Sequence, residues 1–171
     1  MKLRRNRERG NAMLEFTLVG IPLIFVLISV FEMSRWMWNY HTMAYAVREG
    51  TRFAIVKGVN CTAGTNACGV TTGDVAARIQ SAAVGLDPAL LNVTFTAGGT
   101  ASATQPLSQW LNDATAWPPA GLNATGITIQ IKARYPFQSA IAMFWPGAAS
   151  GPGQGFAILN LPASAQETIQ F

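Results

Sequence analysis

The chain has 171 residues, a formal charge of +4, 12% charged residues and 50% apolar ones. Soluble domains carry about 25% charged residues, so this composition suits an exported protein or an assembly subunit. The excess charge sits in the first ten residues, where Lys2, Arg4, Arg5, Arg7 and Arg9 face Glu8. The other 161 residues balance seven cations with seven acids, which excludes the basic footprint of a nucleic-acid binder.

Residues 1–10 form a basic leader. Ala12 to Phe31 then spans 20 residues with one charge, Glu15. At a rise of 1.5 Å per residue such a helix covers about 30 Å, the hydrocarbon thickness of a bilayer. Residues 11–31 are predicted to be the membrane-spanning half of a long helix. The positive-inside rule places the N-terminus in the cytoplasm and the chain after Phe31 outside. A secretory signal peptide has a shorter apolar region and a small-residue cleavage site. Here Glu32-Met33-Ser34-Arg35-Trp36 follows the run, without an A-x-A pattern. A plain signal anchor with a functionless Glu15 is a further reading. Pro22, two residues after Gly20, marks a kink or weak point in the span.

Residues 32–57 continue as an amphipathic helix interrupted only by Gly50. Trp36, Tyr40, Met43, Val47 and Ala54 recur with a period near 3.5 along one face. Arg35, Asn39, Thr42, Ala46 and Glu49 occupy another. One continuous helix is expected from about Met13 to Val56, some 65 Å long. The Trp36-Met37-Trp38-Tyr40 cluster just past the apolar run reads as an interfacial belt or as part of a stripe covered by the downstream domain.

Residues 58–171 are predicted to form an α+β domain outside the membrane. The loop Cys61–Cys68 holds six intervening residues rich in Gly, Thr and Asn. Two close cysteines facing an oxidising compartment imply a disulfide. The spacing is not C-x₂-C and histidine partners are missing, so no metal is expected. Asp74–Val84 reads as a short amphipathic helix. Leu91–Ala97 alternates as a half-buried strand, and Gly98–Pro119 as a loop with one turn around Leu107–Leu111, anchored by Trp110 and Trp117. Ile127–Tyr135 is the clearest strand, ended by Pro136. Phe156–Leu161 and Ala163–Phe171 each read as extended, with Pro162 between them. Sequential strands without crossover helices favour a small antiparallel sheet packed against the long helix.

No catalytic set emerges. His41 is the lone histidine, no G-x-S-x-G serine motif exists, and no close pair of acids suits glycoside chemistry. Phosphate-binding glycine motifs are missing as well. The chain is expected to be no enzyme and to need no cofactor, small-molecule substrate or nucleic acid.

The N-terminus resembles a type IV prepilin. In that superfamily a basic leader ends in glycine and the fifth residue of the mature chain is glutamate. Gly10, Asn11 and Glu15 fit, and Glu15-Phe16 resembles the pilins of tight-adherence (Tad) systems. TadE-like members carry an arginine-glycine-arginine pattern at the end of the long helix, to which Arg48, Gly50 and Arg52 are similar. The length resembles that of a minor pilin or pseudopilin. Asn11 departs from the apolar first residue of main type IV pilins, which bears on N-methylation more than on cleavage. The resemblance implies cleavage after Gly10 by prepilin peptidase and an assembly role for Glu15. It also implies partners among other pilins and Tad assembly proteins. The expected location is the bacterial inner membrane, single-pass, with the C-terminal domain periplasmic, or a surface pilus. The rival reading is an uncleaved signal-anchored periplasmic binding or scaffold protein. In a bacterial chain, the triplets at Asn60, Asn92 and Asn123 are chance matches to the N-glycosylation pattern.

Overall fold

The computed structural model describes residues 4–58, 69–139 and 158–170, with side chains from Ala12 onward and from Asn160 in the last stretch. Helix α1 runs from Arg4 to Ile55, 52 residues or about 78 Å of rise. It begins earlier than the period reading placed it and passes Gly20 and Pro22 without a break. The hydroxyls of Thr17, Ser29 and Ser34 donate back to the carbonyls of Met13, Phe25 and Val30 at 2.8–3.0 Å. Such back-bonding satisfies small polar side chains locally along a helix.

Contacts divide the chain into two units, Met1–Trp36 with Ser139–Ala157, and Met37–Gln138 with Ile158–Phe171. The second unit is the α+β head. Its elements after α1 are α2 (Thr72–Ala82), β1 (Asn92–Ala97), β2 (Thr100–Ala101), β3 (Gln105–Pro106), α3 (Leu107–Trp110), β4 (Thr128–Gln138) and β5 (Ile158–Thr168). The sheet is antiparallel, ordered β2-β1-β4-β5, with β3 also on β1.

Alternation decides which face of the sheet is buried. Val93, Phe95 and Ala97 of β1 and Ile129, Ile131 and Ala133 of β4 are buried, joined by Leu161, Ala165 and Ile169 from β5 and its end. Thr94, Lys132 and Ser164 lie side by side on the opposite face. The buried face receives Met43, Ala46, Val47 and Ala54 of α1 and Val75, Ala76 and Ile79 of α2. Two details of the α1 stripe differ from the period-3.5 reading. Ala46 is buried and Tyr40 is exposed, because a straight helix repeats at 3.6 residues and the stripe drifts around it.

The strands also differ from expectation at both prolines. β4 passes through Pro136 to Gln138. Its pairing with β1 ends at Asn92↔Arg134, so from Tyr135 onward only β5 flanks it. A proline without a ladder donor is tolerated on such an edge. Pro162 lies inside β5 for the same reason, since β5 ends the strand order. What read as two extended pieces is therefore one strand. Within Gly98–Pro119, read as a loop, β2 and β3 form short pairings with β1. The first returns through Gly98 and Gly99, both at positive φ, as a two-residue hairpin turn of type I′ requires.

The long β3–β4 connection is pinned by aromatic rings. Phe95 stands between Trp110 and Trp117 with centroids 5.2 and 5.1 Å away, and the Trp110 indole N–H donates to the Val93 carbonyl at 3.1 Å. Helix α2 starts at a capping box. The Asp74 amide donates to the Thr71 hydroxyl oxygen, and the Thr71 amide donates to the Asp74 carboxylate. The Thr71 amide, and next its hydroxyl, which also donates to the Asp74 carboxylate at 2.8 Å, hold Asp74 below its ordinary 3.8. The Thr115 hydroxyl and amide lower Asp113 likewise. Thr71→Ala is expected to cost about 1 kcal/mol, read from the thermal unfolding of the head. An acid whose folded pKa is lowered stabilises fully above its ordinary value and loses that contribution as pH falls through the folded one. The unfolding midpoint should therefore drop below about pH 4, and Asp74→Asn should flatten part of that drop.

Candidate functional site

The first candidate site is the start of α1. Gly10 and Asn11 fall in its opening turns, ahead of the first described side chain. Glu15 follows among Leu14, Thr17, Leu18 and Ile21, and its side chain is exposed. The apolar residues of the run are exposed as well, from Phe16 at 77% to Phe31 at 72%. Exposed apolar surface on this scale marks a partner or a membrane. The helix is long and apolar enough to cross a bilayer. At the far end of the apolar run, the Arg35 guanidinium donates to Glu32 at 2.7 Å, so those two charges are matched locally. Glu15 has no basic residue within a helical turn on either side.

The second candidate site is the end of α1. Gly50 faces α2 so closely that a Cβ there would overlap the Ile79 side chain, with its Cδ1 at 3.0 Å and Ile131 Cδ1 at 3.6 Å. The glycine read from sequence as a possible helix breaker is the point where α2 seats on α1. Glu49, beside it, is paired with Arg78 of α2. The Thr51 hydroxyl donates to the Val47 carbonyl at 2.9 Å and is fully buried. Arg48 and Arg52 point to solvent one turn apart. The arginine-glycine-arginine pattern thus separates into a packing residue and two exposed cations. Sequence reasoning missed Ile79 and Arg78 as partners, because nothing local in α2 says which helix it will meet.

The remaining sequence candidates sort simply. Cys61 and Cys68, expected to pair, lie outside the described residues. His41 is exposed beside the Tyr40 ring, 5.7 Å between centroids. Among the described residues no group of three His, Cys, Asp or Glu side chains could hold a metal.

The structure thus joins a span-length apolar helix with a lone acid near its start to a small α+β head. The profile of the TadE family, described as TadE-like protein, matches residues 10–52, and over that stretch the chain is similar to that family. The matched stretch begins at Gly10 and ends at Arg52, so it takes in the α1 residues of both candidate sites and ends before α2. No curated protein and no solved structure matches the chain.

Proposed function

We propose that the chain is a minor pilin or pseudopilin of a Tad-type pilus. Prepilin peptidase cuts it after Gly10, and α1 then carries it into assembly in support of pilus biogenesis and surface adherence. The observation that supports this best is the lone Glu15, five residues past Gly10 on an apolar helix, inside the TadE-like stretch. Its neighbours in the chain are apolar, and a carboxylate at membrane depth without a counter-ion costs a few kcal/mol.

Cleavage supplies the missing cation. It removes the +4 of the leader and creates an α-amino group on Asn11. In a bundle of such helices the amine of one subunit compensates Glu15 of the next. Such a pair fixes register more than it adds stability. Before cleavage the leader charges keep the N-terminus in the cytoplasm and leave the head on the periplasmic side of the inner membrane. The head selects partners among other pilins and Tad assembly proteins. No step in this role is catalytic.

Glu15→Ala tests it, with cleavage and pilus incorporation scored separately in the native host. Cleavage should persist while incorporation falls about tenfold or more, given that 1.4 kcal/mol is a factor of ten. Normal incorporation of the cleaved variant would sink the register role.

A further inference from the structure

Side chains alternate across a strand. The three long strands of the head turn odd-numbered residues to the core, so their even-numbered residues make the outer face of the sheet. On that face Lys132 stands between Thr94 of β1 and Ser164 of β5, and Arg134 between Asn92 and Pro162. The adjoining row, centred on Gln130, is uncharged. Lys132 and Arg134 are both exposed and lie about 7 Å apart along β4.

Among the described residues neither of these side chains has an ion-pair or hydrogen-bond partner, whereas Arg78 is matched by Glu49. Glu167 is the one acid in these strands, and alternation assigns it to the opposite face. An acid opposite either cation would add a stabilising cross-strand pair. The sequence places Thr, Ser, Asn and Pro there instead, which leaves two positive charges in the middle of a sheet uncompensated.

This composition narrows the occupant. Protein interfaces have an apolar, aromatic centre depleted of charge. Here the centre holds the two cations, the flanking residues include no aromatic ring, and Pro162 is the single apolar one. Single-stranded nucleic acid needs rings on which bases stack, and a membrane surface needs an apolar contact. The complementary polymer is anionic and rich in hydroxyls. The Arg134 fork fits a carboxylate bidentately, and Lys132 adds a mobile point charge. The hydroxyls and amides beside them suit sugar hydroxyls. Two of these flanking groups are already oriented, Thr94 by Thr104 Oγ1 at 2.7 Å and Asn92 by donation to the Leu90 carbonyl at 3.2 Å.

We propose that the outer face of the sheet binds a carboxylate-bearing polysaccharide, with Lys132 and Arg134 on its acid groups. The inference deepens the adherence role and rests on that reading for its place in the cell. The contact lies wholly within the head, so it can fail while cleavage and assembly stand.

The test mixes the full chain, in non-ionic detergent, with polygalacturonate and a carbodiimide, which couples a carboxylate to an amine touching it. The three lysines, Lys2, Lys57 and Lys132, report separately by mass spectrometry. Lys132 should be coupled several-fold more than either other lysine, and salt should suppress the coupling. Arg134→Gln should lower coupling at Lys132 several-fold, Arg134→Lys should restore most of it, and both variants should unfold as the parent does. Polyglutamate should compete several-fold less well than free polygalacturonate. Coupling confined to Lys2 assigns the binding to the leader and overturns the proposal. Coupling at Lys132 that ignores Arg134→Gln overturns it too. Equal competition by polyglutamate overturns the assignment to a polysaccharide in favour of an acidic protein. None of these outcomes bears on the mature N-terminus, on which the pilin reading is tested.

Discussion

Gly50→Val is expected to loosen the head by about 1–3 kcal/mol or more, the usual cost of forcing methyl groups into a packed core. The added Cβ alone overlaps Ile79. Ile79 cannot swing away easily, because a β-branched side chain in a helix has one strongly preferred rotamer and this one is fully buried. The neighbouring atom on the other side is Ile131 Cδ1 of β4, at 3.6 Å, so the strain passes from α2 to the sheet. The check is chemical or thermal unfolding of the full chain in detergent, followed by near-ultraviolet circular dichroism of the tryptophans. A double-mutant cycle makes the test specific. Gly50→Ala with Ile79→Ala should be less destabilised than the two single changes added together. Simple additivity would show that Gly50 is needed for something other than the approach of α2.

Phe95→Ala is expected to cost about 3–5 kcal/mol, a large share of the 5–15 kcal/mol that holds a typical domain together. Phe95 is 1% exposed and stands between Trp110 and Trp117. It is also the β1 residue opposite Ile131. Its loss opens a cavity under the β3–β4 connection as well as within the sheet. The other anchors of that connection are hydrogen bonds: the Trp110 indole to Val93, the Thr72 and Gly73 amides to the Thr115 and Asp113 carbonyls at 2.9 Å, and the Trp117 amide to the Val70 carbonyl at 3.0 Å. The unfolding midpoint should fall sharply, and amide exchange should accelerate first in residues 105–118. A change confined to the sheet amides would contradict the pinning role given to the ring.

Much of this architecture is legible in the chain because the patterns are long or strict. The apolar run to Phe31 needs only its length and its single acid. β1 and β4 follow from uninterrupted alternation, and Trp110 and Trp117 are recognisable anchors as large rings in a stretch without other aromatic residues. What is illegible depends on neighbours remote in sequence. Pro136 and Pro162 read as stops because their tolerance depends on which strand edge they occupy, and that is set by where β1 ends. Gly50 reads as a possible break because the residue that fills its space, Ile79, is 29 positions away. β2 and β3 are two residues each, too short for any periodicity, and exist only because β1 offers a partner. At the N-terminus the residue types and spacing around Gly10 and Glu15 carry the functional reading, whereas the fold adds only that they share one apolar helix.

The central claim is that the working subunit begins at Asn11. Intact mass and N-terminal sequencing of the protein taken from its native membranes test this most directly. A chain starting at Asn11, with residues 1–10 gone, is the result expected of a prepilin peptidase substrate. A chain still carrying Met1 and the basic leader would contradict the claim, leaving a signal-anchored protein in which Glu15 must serve another purpose.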